Sequence, residues 1–401
     1  MQWLLGECSI QEFRARYYER APLHVRRGVC GYYDSAFSLA ELERVLYSGV
    51  LRKSDLRVVR DGLPVRADSY LVPKPATKEN SRDPFTDRID GDRVSALFAG
   101  GCSVVMHDVP QLSPPLAALC RKLEMLLRHP VNANVYFTPP GNQGFAVHYD
   151  THDTAILQIQ GSKHWRVYES AFPLPLDDQE FDKRLHTVGA VLLEADLQPG
   201  DFLYIPRGFL HEAKSNEDLS LHATLGLYPR RWIQVLKSAL DYAADDAGNE
   251  VLRETAEPES APALRRILAL VLSDAALERA EAKMRTQFAR ERRNGLDGQM
   301  AQIAKLPGLN EDSYVCARRD MLYELTVSEK AAALTFSGKT LVFGPGAAGV
   351  IRDLTAGNPI QIAALKKHDE KAPAIVRKLI AEGFAQQVDA PARSTSGNAV
   401  A

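Results

Sequence analysis

The sequence predicts an α+β protein in which a β-rich region is followed by helices and then by a smaller mixed region. Between residues 131 and 228, short apolar runs alternate with Gly, Pro and Asp turns, which is typical of a β-sandwich or small barrel. After residue 229 the apolar residues recur at helical spacing. A chain of 401 residues is long enough for several domains, and we expect the regions 1–228, 229–310 and 311–391, followed by a disordered tail over 392–401.

The composition is that of an ordinary globular protein, with 45% hydrophobic and 25% charged residues. A net charge of -2 offers no electrostatic argument for a nucleic-acid or membrane surface. The first residues lack the basic region of a signal peptide, and no apolar run is long enough to span a membrane. The cysteines are odd in number and lack CxxC pairs, so we expect a reducing, cytoplasmic location; they are Cys8, Cys30, Cys102, Cys120 and Cys316.

The first hundred residues contain two helix starts of the capping-box type, at Ser9 and Ser38, each with a Glu three residues later. Apolar residues at helical spacing continue the second helix over residues 39–46. We expect strands over 56–60 and 103–106. Residues 73–94, rich in Pro, Lys, Asp and Asn, are expected to form a loop that either covers a substrate or serves as a solvated linker.

Alternation from Thr154 to Gln160 predicts a strand with two unlike faces. One face is apolar, and the other combines Ile156 with Gln158 and Gln160. Glutamines on one face favour a barrel with a wet interior. Trp165 and Val167 are expected to close its apolar side.

The tripeptide His148-Tyr149-Asp150 places one imidazole and one carboxylate on the same side of an extended segment. His211 is the natural third ligand, because it follows an apolar strand over 202–205 and the turn Pro206-Arg207-Gly208. Two His and one carboxylate are the facial triad of non-heme Fe(II) oxygenases. The sequence therefore predicts a metal site at these three residues.

A second reading of the same stretch is a zinc pair on a helix, made by His148 and His152 four residues apart. The residues upstream, Pro139, Pro140 and Gly141, disfavour a helix there. We therefore place His152 and the neighbouring Asp153 outside the ligand set, as a supporting layer or as exposed residues.

Five motifs occur in order. They are Asn-x-Tyr-Phe-Thr-Pro from 134, His-Tyr-Asp from 148, Leu-Gln-x-x-Gly-x-Lys-x-Trp-Arg-Val-Tyr from 157, Gly-Asp-x-Leu-Tyr-Ile-Pro-Arg-Gly-x-x-His-Glu-Ala from 200, and Ser-Leu-His-Ala-Thr from 220. As a set they resemble the JmjC-type 2-oxoglutarate oxygenases, in particular the ribosomal oxygenase (cupin-4) branch. The resemblance implies a double-stranded β-helix (cupin/JmjC) core. It also implies Fe(II) held by His148, Asp150 and His211, with 2-oxoglutarate and O₂ as cosubstrates.

The same resemblance implies which residues bind 2-oxoglutarate. Lys163 matches the basic residue that pairs with the distal carboxylate, and a cation is physically suited to neutralise it. The alternative for Lys163 is a solvated turn residue. Asn134 matches an amide near the metal-bound end, and either Ser220 or Thr224 is expected to supply a hydroxyl.

The regions after residue 229 carry further implications of the resemblance. A helical stripe over 264–288 matches the family's dimerisation domain, so a homodimer is implied; packing of this stripe onto the chain's own barrel is the alternative. The order of strands and helices over 311–391 resembles the family's winged-helix domain. From 311 to 401 we count 11 Lys and Arg against 10 Asp and Glu, so direct DNA binding is not expected.

Four functions follow as hypotheses. The first is hydroxylation of a side chain in a protein, with ribosomal proteins among the candidates, or in a peptide. The second applies the same chemistry to a natural-product precursor peptide or a small molecule, with Tyr149, Arg207 and the 73–94 segment as the places where such a difference would lie. The third is a non-catalytic cupin that binds a ligand or partner, and the fourth is demethylation of methyl-lysine, which the helical and winged-helix regions disfavour.

Overall fold

The computed structural model describes residues 1–60, 62–73, 87–245, 249–255, 261–292, 295 and 297–390. The chain divides into two compact units, Met1–Pro229 and Arg230–Ala401. We call them the first and the second unit.

The first unit contains five α-helices and ten strands among its described residues. The helices are α1 (Gln2–Leu5), α2 (Ile10–Glu12), α3 (Leu39–Leu46), α4 (Gly91–Ala99) and α5 (Pro114–Leu127). The strands are β1 (Leu23–Val25), β2 (Leu56–Arg60), β3 (Leu63–Pro64), β4 (Ser103–Met106), β5 (Val131–Thr138), β6 (Gln143–His148), β7 (Asp153–Ser170), β8 (Val191–Leu197), β9 (Phe202–Ile205) and β10 (Phe209–Leu227).

The ten strands pair antiparallel in the order β1-β9-β7-β10-β5-β4-β2-β3, with β6 beside β10 and β8 beside β7. Strands β7 and β10 are 18 and 19 residues long, so the prediction of short strands throughout was wrong here. The first half of β7 pairs with β9 and its second half with β8. The first half of β10 pairs with β6 and its second half with β5. Both long strands are therefore shared by two layers of sheet.

The change of layer occurs at Gly161 in β7, opposite a register shift between Ser215 and Ser220 in β10. Gly161 has a φ of 62°, and a Cβ at this position would lie 1.6 Å from the carbonyl oxygen of Leu219. Only glycine allows this conformation together with so close an approach of the two backbones. Gly161, the glycine of the motif Leu-Gln-x-x-Gly-x-Lys, is thus the residue at which β7 passes from one layer to the other.

The space between the two layers is filled by a cluster of buried apolar side chains, among them Ile156, Trp165 and Val167. Trp165 and Val167 were expected to close the apolar side of the alternating strand, but they pack with Ile156 on its other face, so this prediction was wrong. On the opposite face of β7, Ala155, Leu157 and Ile159 join the main core of the first unit, which includes residues of α3, α4 and α5. The predicted alternation of β7 is therefore confirmed.

The two glutamines of β7, Gln158 and Gln160, differ in burial. Gln158 is buried, and its Nε2 donates to the Oγ of Ser220 at 3.0 Å and to two backbone carbonyls. Gln160 is exposed. The prediction of a wet interior lined by two glutamines was therefore wrong for Gln160, because β7 bends at the next residue.

Both predicted helix starts in the N-terminal region are confirmed, since the side chains of Ser9 and Ser38 accept from the backbone N–H of the Glu three residues later. The strands predicted over 56–60 and 103–106 match β2 and β4. The predicted loop over 73–94 was wrong at its end, because Asp90 caps α4, which begins at Gly91. Residues 74–86 of that loop lie outside the described residues.

The second unit begins with helices and continues with a mixed region. The helices are α6 (Trp232–Asp245), α7 (Ala261–Val271), α8 (Asp274–Glu291), α9 (Gln299–Lys305), α10 (Ala347–Thr355), α11 (Ile362–Leu365) and α12 (Ala372–Ala381). The strands are β11 (Tyr314–Ala317), β12 (Glu324–Val327), β13 (Ala332–Phe336), β14 (Lys339–Phe343), β15 (Ile360–Gln361) and β16 (Ala385–Val388). They form two three-stranded sheets, β15-β11-β16 and β12-β13-β14.

The mixed region has its own buried core, which contains Phe336, Ile351, Val376 and Phe384. The mixture of strands and helices expected over 311–391 is present, with β11 to β14 before residue 346 and α10, α11 and α12 after it. The expected disordered tail lies outside the described residues.

Among the described helices, none combines the length and the apolar character that a membrane crossing requires. The five cysteines are all free thiols.

We predict that Gly161→Ala lowers the stability of the first unit far more than Gly141→Ala, a matched glycine with a φ of 72° but open space around it. At Gly141 the cost is that of the left-handed backbone, about 1–2 kcal/mol. At Gly161 the clash with the Leu219 carbonyl adds to it, and we expect a loss of roughly 3 kcal/mol or more. Thermal unfolding followed by circular dichroism measures both. Equal losses would show that the close approach does not constrain the bend.

Candidate metal centre

The three predicted ligands meet at the junction of β6 and β10. His148 ends β6 and lies opposite His211, the third residue of β10. Asp150 follows two residues after His148, and its Oδ2 lies 3.7 Å from the Nε2 of His211. One potential ligand atom from each of the three residues lies within 4.8 Å of the others. Within the described part of the chain, this is the one group of His, Cys, Asp and Glu with such spacing.

Both imidazoles are held in the orientation that metal binding requires. The Nδ1 of His148 lies 2.8 Å from the carbonyl oxygen of Ala146, and the Nδ1 of His211 lies 3.1 Å from that of Phe209. Because a carbonyl oxygen only accepts, each Nδ1 carries the proton and each Nε2 keeps its lone pair. Such a bond on the far nitrogen fixes the ring and its tautomer for a metal.

The protonation states also suit a cation. Burial, reinforced by the nearby His148, lowers the pKa of His211 to about 4, so its imidazole is neutral at neutral pH. Burial alone would raise the pKa of Asp150, but His211, His152 and His148 hold it below its usual value. A neutral imidazole and an ionised carboxylate are the forms that bind metal ions. Two nitrogen donors and one oxygen donor, without cysteine, match the facial triad of non-heme iron sites.

The triad opens onto a cavity of about 300 Å³. Its lining combines polar side chains of five strands with a few apolar ones: Arg57, His107, Asn134, Tyr136, His148, Asp150, Thr154, Ile156, Lys163, Trp165, His211, Glu212, Ala213, His222 and Thr224. A cavity of this volume, with convergent polar groups, is suited to a small polar molecule.

Lys163 is not a solvated turn residue, because only 3% of its surface is exposed. Its Nζ donates to the Oγ1 of Thr138 at 3.3 Å, and within the described residues no carboxylate pairs with it. Burial lowers the pKa of Lys163 to about 7. A buried ammonium without a counter-ion is costly, so the cavity is prepared for an anion.

Two further donors or acceptors lie buried in the same lining. Within the described residues, neither the Nε1 of Trp165 nor the Nδ1 of His222 has a hydrogen-bond partner. Buried polar atoms in native proteins are nearly always satisfied. Together with Lys163 they indicate that a polar ligand completes this wall.

Asn134 and Thr224 lie opposite each other on β5 and β10, and both line the cavity. The Oδ1 of Asn134 accepts from the backbone N–H of Asp108 at 3.2 Å. Ser220 is fully buried, accepts from Gln158 and does not belong to the lining. Of the two hydroxyls that the sequence left open, Thr224 is the one at the cavity.

Sequence reasoning missed Tyr136 and His222. Their rings stack with centroids 4.8 Å apart and an interplanar angle of 1°, and the edge of His222 meets Trp165 at 5.7 Å. Tyr136 shares a strand face with Asn134, and His222 shares one with Ser220 and Thr224. Applying the same two-residue alternation to these strands would have found both.

The residues ranked outside the triad lie in supporting positions. The ring of His152 stacks on Tyr228 at 4.7 Å, and Asp153 is buried against Tyr204 and Arg207. Arg207 is 5% exposed, pairs with Glu19 at 2.7 Å and does not belong to the cavity lining.

Tyr149 points away from the cavity. It packs with Tyr168 and Leu210, and its hydroxyl donates to the carbonyl oxygen of Gln179 at 3.1 Å. It therefore attaches the connection between β7 and β8 to the turn that carries two of the ligands.

Comparison with known proteins agrees with this geometry. Residues 110–235, which include all three triad residues and Lys163, match the family model described as JmjC domain. The chain is 35% identical over 263 residues to ribosomal oxygenase 1 of Gallus gallus, covering 63% of this chain and 40% of the chicken protein. It is 28% identical over 253 residues to the bifunctional lysine-specific demethylase and histidyl-hydroxylase NO66 of Aedes aegypti, covering 61% and 37%. The chain thus spans about two fifths of the length of these relatives.

The fold is also that of a solved protein. The structure of ycfD from Escherichia coli aligns with a TM-score of 0.57 at 17% identity, covering 95% of this chain and 98% of the other. Another structure of YcfD, described as a ribosomal oxygenase in complex with cobalt and 2-oxoglutarate, aligns with a TM-score of 0.53 at 18% identity, covering 94% and 98%. At this identity the likeness concerns the fold alone, and it agrees with the JmjC domain that the family model matches over residues 110–235.

We predict that replacing His148, Asp150 or His211 by Ala weakens binding of Co(II), used as a spectroscopic substitute, by about 100-fold or more. Supporting residues of metal sites already contribute 10- to 100-fold, and a lost ligand costs at least as much. His164→Ala is the matched control, because the partly exposed His164 also lies beside two carboxylates, Glu194 and Asp196, but does not line the cavity. Titration followed by visible absorption measures the affinities. Wild-type affinity in the triad variants would reject the assignment.

Proposed function

We propose that this chain is an Fe(II)- and 2-oxoglutarate-dependent oxygenase that hydroxylates an amino-acid side chain in a protein or peptide. The match of residues 110–235 to a JmjC domain and the similarity to a ribosomal oxygenase are the premise. The observation that carries the proposal is a cavity lined both by a His-Asp-His triad and by a buried lysine for which the described residues provide no carboxylate partner.

The triad suits Fe(II). His148, Asp150 and His211 would bind it through two Nε2 atoms and one carboxylate oxygen, leaving the opposite positions open. With 2-oxoglutarate bound, such a centre uses O₂ to hydroxylate a C–H bond, and it releases succinate and carbon dioxide. The protein's own contribution is binding, orientation and exclusion of water.

The rest of the cavity suits 2-oxoglutarate. A dicarboxylate held at one end by a metal needs a cation at its other end. Among the described lining residues Arg57 and Lys163 are the Lys or Arg side chains, and Lys163 is the buried one. The Nε1 of Trp165 and the Nδ1 of His222 would form hydrogen bonds to the bound acid beside Lys163. Asn134 and Thr224, which line the same cavity, would hydrogen-bond the bound acid nearer the metal.

Protonation of Lys163 is expected to follow ligand binding. In the empty cavity its pKa is about 7, because burial disfavours the charged form. A carboxylate beside it favours the ammonium, so the acid would bind together with a proton near neutral pH. Ile156 and Trp165 form apolar parts of the wall and exclude water from the pair.

The substrate is proposed from the relatives. The chicken relative is named a ribosomal oxygenase, and the mosquito relative is named both a demethylase and a histidyl-hydroxylase. We infer a side chain of a polypeptide as the substrate, with ribosomal proteins first among the candidates.

The test is incubation of candidate ribosomal proteins and peptides with enzyme, Fe(II), ascorbate and 2-oxoglutarate. Mass spectrometry should find a gain of one oxygen, together with succinate in equal amount, and Asp150→Ala should abolish both. A wild-type protein that binds Fe(II) and 2-oxoglutarate but forms no succinate with any of them would instead be a binding protein.

We predict that Lys163→Met raises the 2-oxoglutarate requirement roughly 10- to 100-fold, since a hydrogen bond to a charged group contributes about 1.5–3 kcal/mol. Co(II) affinity should remain unchanged. The control is Lys122→Met, an exposed lysine of α5.

The same variant should be more stable at neutral pH. Because the pKa of Lys163 is lowered to about 7 on folding, the unfolded chain binds more protons above that pH, and stability rises with pH up to the ordinary lysine range near 10. Lys163→Met should remove this rise and increase the melting temperature at pH 7.

An unchanged 2-oxoglutarate requirement in Lys163→Met would show that another residue binds the distal carboxylate.

We further propose that the domains are those expected from the sequence, with a catalytic region over 1–228, a helical dimerisation region over 229–310 and a winged-helix-like region over 311–391. A homodimer is supported by large apolar side chains exposed on α6 and α7. Trp232 is 78% exposed, and Leu264 and Leu268 are 57% and 49% exposed on one face of α7. Exposed apolar surface of this kind typically marks an interface.

The location and partners complete the proposal. Five free cysteines favour a reducing compartment, and we propose the cytoplasm. The near-neutral balance of the last 91 residues supports a scaffolding or protein-contact role without direct DNA binding.

We predict that Leu268→Glu converts the wild-type dimer into monomers, because a buried charge would replace an apolar contact. Light scattering coupled to size-exclusion chromatography measures the mass. The control is Leu126→Glu on α5, since Leu126 is 51% exposed but lies in the first unit. A monomeric wild type, or a dimeric Leu268→Glu, would contradict the proposed interface.

A further inference from the structure

The metal centre is assembled from two turns that are distant in sequence. Residues 149–152 connect β6 to β7 and follow His148, whereas residues 206–208 connect β9 to β10 and precede His211. The ladder between β7 and β9 ends at the pair Thr154 and Ile205. Ladder pairing therefore holds the two turns at their outer ends, through Thr154 and Ile205 on one side and through His148 and His211 on the other.

Beyond the last pair of the β7–β9 ladder, the Asp153 carboxylate accepts two hydrogen bonds. Its Oδ1 accepts from the backbone N–H of Arg207 at 2.9 Å, and its Oδ2 accepts from the hydroxyl of Tyr204 at 3.0 Å. Beside it, the backbone N–H of Gly208 donates to the carbonyl oxygen of Asp150 at 3.0 Å. The carboxylate thus holds both the last part of β9 and the turn that leads to His211.

These contacts close into a ring through the N-terminal segment. The Tyr204 hydroxyl accepts from the backbone N–H of Glu19 at 2.9 Å, and the Glu19 carboxylate pairs with the Arg207 guanidinium at 2.7 Å. Arg207 then donates its backbone N–H to Asp153, which completes the ring. Because every member is held by two others, the turn has little freedom to shift.

The ring is costly to bury. Asp153 has no exposed surface, and burial raises its pKa to about 6. Well-packed apolar residues often replace buried charged groups without loss of stability, so a buried carboxylate is better explained by the arrangement that it specifies. Here that arrangement is the separation between the two turns.

We propose that Asp153 is a positioning residue of the metal centre, whose carboxylate fixes the turn preceding His211 against the turn that follows His148 and contains Asp150. This rests on the proposed function only in so far as the triad binds a metal. It does not depend on the reaction or on the substrate.

The test uses Co(II) alone and three variants of the full chain. Asp153→Leu removes both acceptors with a side chain of similar size, Asp153→Ser removes them with a short polar one, and Asp153→Asn keeps an acceptor for Arg207. We expect Co(II) to bind 10- to 100-fold more weakly to the Leu and Ser variants, with an altered visible absorption spectrum. The Asn variant should stay within about threefold of wild type.

The control for a merely structural effect is Leu116→Ala, which removes a fully buried side chain of the main core. It should lower the melting temperature without changing the Co(II) affinity or spectrum. Should Asp153→Leu fail to fold, Asp153→Ser provides the same comparison.

Three outcomes would overturn the positioning role: wild-type affinity in the Leu or Ser variant, equal weakening in Leu116→Ala, or a loss in the Asn variant as large as in the Leu variant. A wild-type chain that binds no Co(II) would instead refute the metal centre itself. Failure of this proposal is therefore distinguishable from failure of the proposed function.

Discussion

The antiparallel pairing of β7 with β10 is the constraint on which the rest of the first unit depends. Both strands continue through two layers of sheet, so a single pairing creates the interior and sets its depth. Gly161 permits the bend of β7, and a register shift between Ser215 and Ser220 accompanies it in β10. The positions of His148, His211 and Lys163 in the interior then follow from the register of β6, β10 and β7.

The cavity is a compromise between stability and binding. Lys163 lies buried without a carboxylate beside it in the described residues, and Trp165 and His222 carry nitrogens without partners. Each feature destabilises the protein without a ligand, and each becomes favourable when an anion enters. Strain of this kind collects at functional sites, and apolar packing elsewhere in the unit offsets it.

Much of the site could be predicted from the sequence, because its rules are local. His148 and Asp150 share a face by alternation, and the turn Pro206-Arg207-Gly208 after β9 identifies His211. The stacking of Tyr136 on His222 needs cross-strand register, which the sequence analysis did not assign. Ser220 and Thr224 lie on one face by alternation, so the sequence does not distinguish them. Ser220 pairs with Gly161 at the bend and is buried against Gln158, whereas Thr224 lines the cavity.

The fold shows the same limit. Helices with clear caps, such as α3, and strands with apolar runs, such as β9, were found at their observed bounds. The lengths of β7 and β10 were not found, because a glycine and polar residues inside them look like turns in a single sequence. Tertiary pairing keeps those segments extended.

Each imidazole of the triad is oriented by a carbonyl two residues before it on the same strand, that of Ala146 for His148 and that of Phe209 for His211. These two hydrogen bonds are local, because each joins residues two positions apart on one strand, and neither needs a side chain of the cavity wall. Substitutions in the wall can therefore leave both bonds in place. A lineage with this scaffold can vary the shape of the cavity while the two imidazoles keep the orientation that a metal ion requires.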